Sequence, residues 1–242
     1  MDISGYFFVF IAGVIVIAIS YALDRLWAVA MPARPLYLLI RLPGVVLHES
    51  AHIIGCLITG ARIHHVVLFS KDGGSVTYAR PKLPYIGDVI ISTAPLFLLP
   101  LALSFITWIF SVYLGCVFPA YPAALISADS LFDLTRAIFS TFSDNLVTRF
   151  NGWFLLYLYL TTSLVLSTSP SSQDMKNAAA GSILLVLAGS LIVWTGIPLA
   201  LSLMDEMVRL IGYGFTLGLV YGMVALAVSL PLVIWYGYKH HS

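Results

Sequence analysis

Runs of about twenty apolar residues recur along the chain, and in a bilayer a run of that length can close its backbone hydrogen bonds only as a helix. Six such runs can be counted: Gly5–Leu23, Leu36–Thr59, Ile86–Val117, Gly152–Ser167, Ala178–Met204 and Leu210–Tyr238. Asp205, Glu206 and Arg209 read as a turn between the last two. The first 23 residues have no basic leader and no small-residue cleavage site, so they read as a span and not as a removed signal peptide. Composition agrees, with 60% hydrophobic and 10% charged residues, and a net charge of +1 provides no basic surface for nucleic acid. The expected fold is an all-α polytopic membrane protein: one integral domain over residues 1–242 with about six transmembrane helices. Cys56 and Cys116 both lie in apolar runs, which gives no disulfide framework.

Two stretches depart from the pattern. Arg62–Phe69 and Ser75–Ala79 are β-branched and aromatic runs around Asp72-Gly73-Gly74, which predicts a β-hairpin over about residues 62–80, directly after the second span. Residues 118–150 alternate Asp129, Asp133, Arg136, Asp144 and Arg149 with apolar residues, as an interfacial segment would.

The second run contains His48-Glu49-Ser50-Ala51-His52. Helical residues four apart share a face, so His48 and His52 can offer imidazole nitrogens to one metal ion. Glu49 then stands beside a metal-bound water, placed to take its proton as general base. Three ionisable groups within five residues are costly at membrane depth unless something compensates them, and a divalent cation is the simplest partner. Hydrogen bonding to neighbouring helices is the plainer alternative. Pro43 suits the first turn of this helix and Gly60 its C-cap.

Catalytic zinc usually takes three protein ligands. A third His six residues beyond His52 is ruled out because that position is Ile58, and Cys56 lies about 12 Å from His48 along a straight helix. The sole remaining glutamate, Glu206, has no supporting His. His64 and His65 are adjacent on a strand, so at most one can face the site. Asp174 remains the best candidate, following the chain break at Pro170 and the serines, but the same position suits a helix cap, and the two roles compete.

With these residues in hand, the chain resembles the site-2 protease family of intramembrane zinc metalloproteases. The resemblance rests on the His48–His52 motif in one span, the β segment ending near Arg80, the span with Ala94-Pro95, and Pro170 to Asp174, about half the chain in all. The family's Asn-Pro-Asp-Gly pattern is met at Pro170 and Asp174, while Ser167 stands at the Asn position and Met175 follows the Asp. The resemblance implies Zn2+ on His48, His52 and Asp174, with Glu49 as base and a transmembrane protein or peptide as substrate. It also implies a multi-pass protein of a prokaryotic plasma membrane, with the hairpin, the metal site and both termini on the cytoplasmic side. Lys and Arg divide six and six between the two sides and leave orientation undecided. The rival reading is a non-proteolytic scaffold or transporter that keeps a protease-like metal site. Transport needs polar residues through several spans, and the other spans read as almost wholly apolar.

Overall fold

The computed structural model describes residues 3–70, 73–119 and 128–241. In chain order they form α1 (Ile3–Ala30), α2 (Arg34–Thr59), β1 (Ile63–Val67), β2 (Ser75–Tyr78), α3 (Ile86–Tyr113), α4 (Ala128–Phe142), a π-helical turn (Ser143–Thr148), α5 (Gly152–Leu166), α6 (Ser172–Thr195) and α7 (Pro198–His241). The protein is all-α apart from one antiparallel hairpin.

Among the described residues, five helices are long and apolar enough to cross a membrane: α1 from Val9, α2, α3, α6 and α7. The expected span at Gly152–Ser167 is shorter than that. Helix α5 has 15 residues, so it covers about 22 Å of a hydrocarbon core of about 30 Å. It is also a core element, with Phe154, Tyr157 and Thr161–Leu166 all buried. The expected turn at Asp205–Arg209 is helical too. The chain reverses earlier, where Gly196 adopts a left-handed φ of 64° as the cap of α6 and Pro198 opens α7. An Arg209–Glu206 pair at 2.6 Å on the exposed face replaces the turn.

Helices α1 and α7 pack in parallel. Val9 meets Gly212, Val16 meets Gly218, Ile19 meets Gly222, and the Trp27 indole donates to Ser229 Oγ at 2.8 Å. The start of α1 and the end of α7 therefore lie at opposite ends of the bundle, which corrects the expectation that both termini share a side. The cause is the short α5. It runs parallel to α2, since Tyr159 meets Leu39, Gly44 meets Ser163 and His48 meets Ser167, and it stops at membrane depth. Helix α6 then continues in the same sense, so the two read as one crossing interrupted at Ser167–Ser171.

Pro43 lies inside α2 and not in its first turn, because the helix begins at Arg34 with Pro35 near its start. A mid-helix proline frees the carbonyl four residues back. That carbonyl, on Leu39, accepts the Tyr159 hydroxyl at 2.9 Å, and the next amide, on Gly44, donates to Ser163 Oγ at 2.9 Å. A side chain on Gly44 would overlap the Ser163 carbonyl, so glycine permits the close approach. Helix α5 thus fills the proline gap one turn before His48.

Within residues 118–150, α4 is amphipathic: Leu134 and Ile138 pack against Phe154 and Tyr157, while Asp129, Asp133 and Arg136 are exposed. Residues 120–127 of that stretch lie outside the described residues. Asp88 sits in the first turn of α3, where a carboxylate favours the helix N-terminus.

Candidate metal centre

Periodicity places His48, Glu49 and His52 on the inward part of α2, where all three are buried, with exposures of 9%, 6% and 6%. Each imidazole is held through Nδ1: His48 by the Ser167 carbonyl at 2.6 Å, His52 by the Ile91 carbonyl at 2.8 Å. A carbonyl can only accept, so both Nδ1 atoms carry a proton, and in the neutral imidazoles both Nε2 atoms keep their lone pairs. Those Nε2 atoms face each other at 3.2 Å. Two lone pairs that close repel unless a proton or a metal ion lies between them. Two ligands of one tetrahedral ion, with bonds of about 2.0–2.1 Å, stand roughly 3.3 Å apart.

Asp174 arrives from the N-terminus of α6. Its Oδ1 lies 3.5 Å from His52 Nε2 and its Oδ2 4.0 Å from His48 Nε2. The ligand atoms of these three residues lie within 4.8 Å of one another, so His48, His52 and Asp174 form a group that could hold a metal ion. The carboxylate also completes a capping box. Asp174 Oδ2 accepts from Ser171 N at 2.8 Å and Ser171 Oγ at 2.6 Å, while Asp174 N donates to Ser171 Oγ at 3.1 Å. The cap role is thus observed, and because a carboxylate has two oxygens and about four lone-pair sites, it does not by itself bar the carboxylate from also meeting an ion. The cap fixes the rotamer that turns Oδ1 toward His52.

His64 and His65 do not reach this group. Both are exposed on β1, where a register irregularity between Ile63 and His65 disturbs the pairing with β2. Cys56 is buried one turn beyond His52 against Ala61 and Ile91, away from the ligands.

Two cavities meet at Glu49. The smaller, of about 150 Å³, holds the metal group and is walled by Ser75, Val76 and Tyr78 of β2 and by Gln173 and Asn177 of α6. Asn177 Nδ2 donates to the Tyr78 hydroxyl at 3.3 Å, which ties hairpin to helix, and burial raises the Tyr78 phenol above its ordinary pKa. The larger, of about 520 Å³, runs along α2 past Arg41 and Asp24. Gly74 borders both, and a Cβ built there would overlap the Glu49 side chain. Glycine at 74 thus lets the hairpin turn lie directly on the carboxylate.

Sequence reasoning brought together His48, Glu49, His52 and Asp174 and missed the groups around them. The carbonyls of Ser167 and Ile91 leave no trace in side-chain type. Arg41 did leave one, as the lone charge of its span outside the motif. Asp24, one residue past the first apolar run, lies within α1 with Oδ1 3.1 Å from Arg41 Nε and 2.7 Å from the Tyr37 hydroxyl. Comparison of the chain with protein families, curated proteins and solved structures gives no match.

Proposed function

We propose that this protein is an intramembrane zinc metalloprotease that hydrolyses peptide bonds in or near the transmembrane segments of other proteins. The observation that carries this reading is the convergence of two imidazole Nε2 atoms and one carboxylate beside a second carboxylate, Glu49, which opens onto both cavities. Two nitrogens and one oxygen suit zinc and leave a fourth position, as catalytic sites do. When bound there, zinc supplies Lewis-acid polarisation of the scissile carbonyl and a more acidic water.

The chain's own residues account for the rest. His48 and His52 are oriented before any ligand binds, through the Ser167 and Ile91 carbonyls, so little reorganisation is required on binding. Glu49 takes the proton of the attacking water and returns it to the leaving amine. A peptide bond within a helix is shielded by its own hydrogen bonds, so the substrate must unwind locally. An extended segment can then pair with an edge of the two-stranded hairpin, whose β2 lines the smaller cavity. By the same resemblance, the hairpin side of the bundle is the cytoplasmic side of a prokaryotic plasma membrane.

The test compares wild type with Glu49→Gln in detergent or liposomes, using synthetic membrane-spanning peptides and measuring zinc on both proteins. The reading expects cleavage by wild type to fall by about two orders of magnitude or more in the variant, with zinc content unchanged. Equal cleavage by the two would end it, and zinc retention without cleavage of any peptide would favour the scaffold.

A further inference from the structure

The larger cavity is a trough. One wall is the face of α2 that carries Tyr37, Arg41, Val45 and His48, spaced three to four residues apart along one stripe, with Glu49 beside His48. The opposite wall is the broken segment between α5 and α6, which contributes the serines at 167, 169, 171 and 172. From Tyr37 to Glu49 the stripe rises about 18 Å, the length of roughly five extended residues. Its inner end is the proposed general base. Its outer end is cationic, because Arg25 and Arg41 stand there against a single carboxylate, Asp24.

That imbalance is specific in its chemistry. Asp24 meets Arg41 at Nε, and its Oδ1 also accepts the Tyr37 hydroxyl, so this acid is already neutralised. A guanidinium has five donors, more than Asp24 and the neighbouring Tyr37 can use, and its planar fork matches a carboxylate. Arg25 adds a second cation, held to Tyr21 through Nε at 3.2 Å. Were the pair only structural glue for α1 and α2, one Arg would balance one Asp, and it would not line an open trough leading to Glu49.

We infer that Arg41, supported by Arg25, is a specificity determinant that binds an acidic side chain of the substrate about three residues from the scissile bond. The distance comes from the helix: Arg41 precedes His48 by seven residues, two turns on one face, or about 10.5 Å, which three extended residues cover. The cationic outer end also sets the direction in which an acidic peptide lies. This inference rests on the protease reading of the same site and adds to it a class of substrate.

The test uses binding, so that it does not depend on turnover. Two series of peptide hydroxamates are made, extending to the N- or the C-terminal side of the zinc-directed group, with Glu or Gln at each of the second to fourth residues. Affinity is measured on the full-length zinc-loaded protein, with cleavage of the matching peptides assayed in parallel. Glu at the third residue of one series should bind about tenfold tighter than Gln, an advantage that shrinks at high salt. The ratio should fall toward one in Arg41→Gln and persist in part in Arg41→Lys. A ratio of one in wild type, at every position and in both series, overturns the inference whether or not the variants fold. So does a ratio unchanged in Arg41→Gln that retains its zinc. An acidic preference in binding without any cleavage would leave the trough assignment standing and remove the protease reading instead.

Discussion

At the scale of single residues, the proposed centre requires Asp174 to carry two roles at once. Asp174→Ala should lose most bound zinc and also lower stability by about 1 kcal/mol through loss of the cap. Ser171→Ala removes the cap hydroxyl and leaves the carboxylate, so it should share the stability loss and keep more zinc. Metal analysis and thermal melts on both variants separate the roles, and equal zinc loss in the two would contradict this division. Gly74 makes a second prediction: Gly74→Ala should cut peptide cleavage at least tenfold with zinc retained, because the added methyl meets the Glu49 side chain first and displaces it or the turn. Full activity of that variant would show that the hairpin turn does not need to lie on the carboxylate. The His-Glu-His group was legible in the sequence because its chemistry lies in residue identity and helical spacing. The carbonyls of Ser167 and Ile91 were not, since any residue supplies a carbonyl and only the tertiary fold aims it.

Among the elements, α5 has the largest effect for its length. It fills the break at Pro43, holds His48 through the carbonyl at its C-terminal end, and brings the chain to membrane depth so that α6 can present Asp174. Tyr159→Phe leaves the Leu39 carbonyl without its hydroxyl and should cost about 1 kcal/mol. Gly44→Ala pushes α2 away from α5 and should cost about 1–3 kcal/mol, with weaker zinc binding because His48 is one turn on. Melting curves and zinc titrations would check both, and unaltered zinc affinity in Gly44→Ala would sever the link between this contact and the site. Hydropathy located the apolar stretch of α5 but assigned it a full crossing. A window of apolar residues does not distinguish a lipid-facing span from a short helix whose second half is buried in the bundle. Similarly, Asp205, Glu206 and Arg209 looked like a turn because charge usually marks a loop. In α7 they are exposed, and the reversal is set by Gly196 and Pro198, whose backbone preferences outweigh the charges.

The whole molecule is a bundle in which an interrupted crossing carries the metal group at its break. Helices α1 and α7 run in parallel, so cysteines introduced at Arg34 and Lys239 should react with a membrane-impermeant maleimide from one side, and a cysteine at Arg80 from the other. The native Cys56 and Cys116 are buried and should stay silent. Labelling of all three from one side would refute the arrangement. The count of apolar runs foretold a polytopic helical fold, and turn chemistry foretold the hairpin. Parity was beyond reach, because it depends on where one short helix stops.

The central claim is that His48, His52 and Asp174 hold one ion between them. X-ray absorption on the zinc-loaded protein tests it most directly. The account predicts one zinc per chain with two imidazoles and oxygen at about 2.0–2.1 Å, one imidazole signal lost in His52→Ala and the oxygen shell altered in Asp174→Ala. A zinc shell without imidazole scattering, or one unchanged in both variants, would contradict it.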